Sequence, residues 1–164
     1  RGPRNLRIAQ NELVTNIRKV QSQALASRNS SLSGKAVKYY VLQFDRTNPS
    51  QYLIQAVADD LTLDTPVETI NFPANISISA ESSLVLEQPV GASSTKQDCV
   101  QVTFALPYGT MYLDSSCQIL TTIASSGGLA SVANSSLTIL LTESVTGETR
   151  SVNINGVSGV ITTP

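Results

Sequence analysis

From Arg4 to Asn29 the chain has neither proline nor glycine, and this run constrains the fold more than any other feature. Leu6, Ala9, Leu13, Ile17, Val20 and Ala24 recur in it at spacings of three and four. At about 100° per residue they fall in a stripe roughly 80° wide, the signature of an amphipathic helix. A helix over the whole run spans about 39 Å, long for a single domain. Asn29-Ser30-Ser31 and Gly34 supply its stop signals. So narrow a stripe predicts a helix lying along one side of a sheet, with its N-terminal turns projecting free. Val14 and Leu25 sit off the stripe, suited to a second, weaker contact, and Ile8 points away from both. A surface helix with scattered apolar residues is the alternative.

After Gly34 the period changes from 3.6 to 2. Lys35–Asp45 alternates and is rich in β-branched and aromatic residues, Arg46–Ser50 turns, and Gln51–Ala58 returns, which together predict a hairpin. Short strands are expected at Val67–Asn71, Asn75–Ala80 and Leu84–Glu87. Further strands are expected at Cys99–Ala105, Thr110–Leu113 and Cys117–Ile123. Gly91–Asp98 reads as a surface loop, and Ala124–Asn134 as a Ser/Gly/Ala-rich connection. A second hairpin pairs Ser136–Glu143 with Thr149–Asn155, Leu137, Ile139, Leu141, Val152 and Ile154 facing inward, and Val157–Thr162 is a candidate edge strand. One helix followed by many strands predicts an α+β fold. The expected division is a helical stalk over residues 1–34 and a β-rich globular domain over 35–164.

Charge divides the same way. Residues 1–38 carry eight basic side chains against Glu12, a balance of +7, whereas 39–164 carry three against eleven acids, −8. Serine and threonine make up 38 of the 164 residues and charged residues only 14%, a hydroxyl-rich, ion-poor surface that suits an exported protein. Cys99 and Cys117 are the two cysteines. In an oxidising compartment they are expected to pair, stabilising by roughly 3 kcal/mol through loop closure; two free buried thiols are the alternative. No stretch reaches the ~18 apolar residues of a membrane span.

Catalytic motifs are sparse. The chain has no histidine, which excludes a Ser-His-Asp triad, a Cys-His pair and a histidine-ligated metal. Asp59, Asp60 and Asp64 form the densest carboxylate group, but without EF-hand spacing they read as a solvated acidic loop. Ser126-Gly127-Gly128 lacks the lysine and the strand–loop–helix setting of a phosphate loop. Asn29, Asn75 and Asn134 each start a glycosylation triplet, a pattern that arises by chance in a chain this rich in Ser and Thr. The basic helix residues spread over roughly 180° of the wheel with no aromatic among them, which argues against nucleic acid. No metal, no cofactor and no catalytic residue are expected.

The long basic helix entering a Ser/Thr-rich β domain resembles the type IV pilin-like superfamily. Asn11–Arg28 is similar to the part of prepilins that follows their membrane-embedded helix. The run Gln21–Arg28 leading straight into a hairpin resembles the pseudopilin H and FimT-like branch. Phe72-Pro73-Ala74-Asn75-Ile76, Val102-Thr103-Phe104, Pro107-Tyr108-Gly109, Gly147–Ile154 and Gly159-Val160-Ile161 follow in that family's order. The resemblance implies a pilin-like fold with two small sheets, residues 1–34 being the C-terminal half of the pilin helix. It also implies an apolar membrane segment upstream of residue 1, cut from this chain. The expected function is that of a structural subunit of an extracellular or periplasmic filament, a type IV minor pilin or a type II secretion pseudopilin. It would be anchored in the inner membrane before assembly, with other subunits as partners and no enzymatic role. Leu6, Leu13, Ile17, Val20 and Ala24 are the expected packing and assembly residues, and the isolated domain is expected to be monomeric. The alternatives are an extracellular adhesion module acting through loops 59–66, 91–98 and 124–135, and a DNA-capturing minor pilin.

Overall fold

The computed structural model describes residues 2–26, 31–32, 34–58, 68–79, 85–87, 95–96, 98–114, 136–156 and 158–164. Among these residues one helix, α1 (Gly2–Ala26), precedes twelve strands: β1 (Ser31–Leu32), β2 (Lys35–Asp45), β3 (Gln51–Ala58), β4 (Glu68–Asn71), β5 (Ile76–Ile78), β6 (Val85–Glu87), β7 (Thr95–Lys96), β8 (Cys99–Ala105), β9 (Thr110–Asp114), β10 (Ser136–Glu143), β11 (Thr149–Asn155) and β12 (Ile161–Thr162). The fold is α+β, one N-terminal helix packed on two antiparallel sheets. The sheets hold six strands each, so they are larger than the sequence suggests, though several strands have only two or three residues.

The first sheet runs β4-β3-β2-β8-β9, with β1 also paired to β2. Its centre is the long β2, flanked by its hairpin partner β3 and by β8, fifty-odd residues away. Asp45 closes the β2–β3 turn, its Oδ1 accepting from the backbone N–H and the hydroxyl of Thr47, both at 2.8 Å. Such a side-chain turn stands in for a backbone one. The second sheet runs β12-β11-β10-β6-β7. One edge of β10 pairs with β11 along its length, and the other pairs with β6 at its start and β5 at its end. Alternation on β10 buries Leu137, Ile139, Leu141 and Glu143 and leaves Ser136, Thr138, Leu140 and Thr142 half-buried on the other face.

Both sheets turn an apolar face to α1. Leu42, Phe44, Tyr52, Val100, Val102, Phe104 and Leu113 from the first sheet join Leu137, Ile139, Leu141, Val152 and Ile154 from the second in one core. Leu6, Ala9, Leu13, Val14, Ile17, Val20 and Ala24 complete it. The expectation that the N-terminal turns project free is therefore corrected: Leu6 is 0% exposed, as fully buried as Leu13 in mid-helix. The buried arc is also wider than the apolar pattern implied, because Gln10 and Val14 join it and stretch it to about 140°. A helix wedged between two sheets needs that wider face, and a glutamine supplies part of it.

Strand positions differ from the sequence expectation mainly at short elements. β5 is Ile76–Ile78 within the expected 75–80, and β12 is Ile161–Thr162 within the expected 157–162. The stretch 91–98, expected as loop alone, contains β7, which pairs with β6. The expected strand 117–123 and connection 124–134 lie outside the described residues.

Candidate functional site

Among the described residues, four polar side chains tie the helix to the sheets. On one flank Asn16 Nδ2 donates to the Tyr52 hydroxyl at 2.6 Å, over β3 of the first sheet. On the other, Gln10 Nε2 donates to the Ser151 carbonyl at 2.7 Å, Arg18 Nη2 to the Ile161 carbonyl at 3.1 Å and Gln21 Nε2 to the Gly159 carbonyl at 3.4 Å. Strand alternation explains the Gln10 contact. Asn155 donates to Val160 on the β12 side, so the carbonyl of Ser151 faces the same way. β12 pairs only with Asn153 and Ile154, which leaves Ser151 beyond its end, and Gln10 supplies the missing donor. Arg18 and Gln21 then cover carbonyls beside and along β12, closing an edge that would otherwise be open for pairing.

Burial pushes the Tyr52 phenol above its ordinary pKa. The hydrogen bond from Asn16 opposes the shift, and the negative charges of Glu12 and Glu68 add to it. Tyr52 stacks on Phe44 with ring centroids 5.4 Å apart and tilts against Phe72 at 5.3 Å. At the far end of the second sheet, Glu143 Oε2 accepts from the hydroxyl and the backbone N–H of Thr146, both at 2.7 Å. These bonds hold its carboxyl below the usual carboxylate range. Gly147, at φ +72°, completes that turn in the left-handed region glycine favours.

The outward face of α1 is chemically distinct. Arg4, Arg7, Arg18 and Lys19 are exposed there with Glu12 the one helix acid. Among the described residues Arg4, Arg7 and Lys19 have no ion-pair partner. Ile8, 40% exposed, lines a groove of about 460 Å³ with Asn11, Glu12, Thr15 and Asn16.

The five residues expected to serve packing and assembly, Leu6, Leu13, Ile17, Val20 and Ala24, are 0–2% exposed, all within the molecule's own core. The face of α1 that the sheets leave exposed carries Ile8, Asn11, Thr15 and Lys19. Cys99 is in a disulfide; Cys117 lies outside the described residues. Asp59, Asp60, Asp64, Asn29, Asn134, Ser126-Gly127-Gly128 and the loops 59–66 and 124–135 also lie outside them. Asn75 is exposed at φ +68° in the turn before β5. From 91–98, Asp98 is described and pairs with Arg46 at 3.1 Å. Among the described residues no group of three His, Cys, Asp or Glu side chains converges to hold a metal ion, and no helix is long and apolar enough to cross a membrane.

Sequence reasoning missed Gln10, Asn16 and Gln21 as anchors. Their signal was positional: Gln10 and Gln21 flank the stripe on one side and Asn16 on the other, where long polar side chains reach sheet carbonyls or hydroxyls. No family model, no curated protein and no solved structure matches this chain.

Proposed function

We propose that the chain is a structural subunit of an extracellular or periplasmic filament of the type IV pilin-like kind, a minor pilin or a type II secretion pseudopilin. It works by assembly, without catalysis. The observation that carries the reading is the two-faced helix. One face of α1 is consumed by the two sheets from Leu6 to Ala24, while the other presents Arg4, Arg7 and Lys19, which have no ion-pair partner among the described residues. Exposed cations of this kind suit an external neighbour of opposite charge. A phospholipid surface is such a neighbour, each nearby base contributing about 1 kcal/mol of attraction. The helix then runs from an inner-membrane anchor into the β domain, and other subunits meet its outward face around Ile8. The order of the Phe72–Ile76, Val102–Phe104 and Pro107–Gly109 elements supports the pseudopilin H and FimT-like branch.

Sequencing the gene upstream of Arg1 tests this directly. The reading requires an apolar stretch of about 20 residues preceded by a glycine processing site. A start codon close to Arg1, or a polar upstream region, overturns it.

A further inference from the structure

One stripe on the outward face of α1 carries a pattern that the packing of the fold does not use. Ile8, Glu12, Thr15, Lys19, Ser22 and Ala26 follow one another at alternating spacings of four and three, and all six are exposed. At about 100° per residue they share a stripe roughly 80° wide on the side away from the sheets. Such spacing is the seven-residue repeat through which two helices pack along a seam. The stripe is also nearly symmetric about Thr15. Ile8 and Ser22 lie seven residues to either side of it, Glu12 three before and Lys19 four after. Glu12 and Lys19 are two turns apart, too far to pair with each other within one helix. Among the described residues neither has an ion-pair partner.

The signs of these charges select how a second copy can lie on the stripe. Two parallel helices in register set Glu12 against Glu12 and Lys19 against Lys19, which repels. A parallel pair shifted by one repeat joins a single Lys19 to a single Glu12. An antiparallel pair crossing at Thr15 joins Glu12 of each copy to Lys19 of the other, within one residue's rise, about 1.5 Å, of direct opposition. It also sets the partly exposed Ile8 of each copy against Ser22 of the other, a residue small enough for close approach. We propose that α1 is a self-docking surface on which a second copy of this chain seats antiparallel, with Thr15 at the two-fold axis. The groove of about 460 Å³ beside Ile8, Glu12 and Thr15 takes the incoming Lys19, its methylenes against Ile8 and its ammonium at the Glu12 carboxylate. Such an interface is isologous and closes at two copies. A contact of one helix per chain lies at the small end of interface sizes, so the dimer forms at high concentration and the dilute chain stays monomeric. The pairing does not rest on the filament reading: a polar region upstream of Arg1 sinks that reading and leaves this contact standing.

Sedimentation of the chain over a rising concentration series, into the millimolar range, tests it. The mass is expected to climb from 17.4 kDa towards twice that value. Glu12→Lys and Lys19→Glu, each alone, put like charges at both contacts and are expected to weaken the dimer about tenfold with a nearly unchanged melting temperature. An equimolar mixture of the two variants again joins opposite charges at both contacts, and its association is expected to return to that of the parent. Under mild oxidation Thr15→Cys is expected to crosslink to itself, and Ile8→Cys to Ser22→Cys but not to itself. A mass that stays at 17.4 kDa to the highest concentration overturns the proposal. So does dimerisation that both single variants leave intact, or a mixture that associates no better than its components. Crosslinking of Ile8→Cys to itself or to Thr15→Cys overturns it in favour of parallel packing.

Discussion

Leu6→Ala decides whether the first turns of the helix belong to the core. Leu6 is 0% exposed and packs in the common cluster, whereas the narrow stripe in the sequence had suggested free N-terminal turns. The substitution removes three carbons, about 2.4 kcal/mol of transfer free energy at ~0.8 kcal/mol each. The unfilled space raises the cost to about 3 kcal/mol. For a domain of this size each kcal/mol lowers the melting temperature by roughly 3 °C, so the expected drop is about 9 °C. Urea denaturation at 25 °C gives the free energy and calorimetry the midpoint. Leu13→Ala, in mid-helix and equally buried, is the control that cannot be relieved by fraying. Ile8→Ala, on the 40% exposed outward position, is expected to cost under about 0.5 kcal/mol. If Leu6→Ala costs as little as Ile8→Ala while Leu13→Ala costs its full amount, the first two turns do not pack in solution and the reasoning fails.

Gln10→Leu keeps the buried volume but leaves the Ser151 carbonyl without its donor, and is expected to lower stability by about 1–3 kcal/mol in urea denaturation. In the pH dependence, Glu143 titrates below its ordinary value, so on acidification the unfolded chain takes up that proton first. Its contribution is complete above the ordinary value of 4.5 and is lost as pH falls through the folded value; Thr146→Val is expected to flatten this acid limb of urea midpoints. Tyr52 acts in the opposite direction: its contribution is full below pH 10.0 and disappears as pH rises towards the elevated folded value, and Tyr52→Phe is expected to remove that alkaline loss. A Cys99–Cys117 disulfide makes the intact mass two hydrogens lighter than that of the reduced chain, and equal masses with and without reductant refute the pairing.

Local pattern made much of this fold legible. Apolar patterning and turn residues located β2, β3, β8, β10 and β11 with the same ends that the structure gives them. It also assigned the inward faces of β10 and β11, because one side of each strand meets the core. Pairing between distant segments was not legible: nothing local in Cys99–Ala105 says that it lies beside Lys35–Asp45. β8 is an instructive case, since Cys99 to Phe104 are buried on both faces and give no alternation of burial to read. The candidate surfaces were the least legible. An apolar pattern on a helix reports where the core lies, so Leu6, Leu13, Ile17, Val20 and Ala24 marked the inside and could not mark a contact with another molecule.

The anchors on α1 also set an order of events during synthesis. Gln10 and Arg18 bond to carbonyls 141 and 143 residues later in the chain, on β11 and β12. During synthesis α1 therefore has no complete docking place until these later strands have been made. Until then Leu6, Leu13 and Ile17 lack the sheet faces that bury them. A chain built this way gains by having this helix held by a chaperone or a bilayer until the β10–β11 hairpin arrives, and α1 is latched late, although it precedes every strand it docks on.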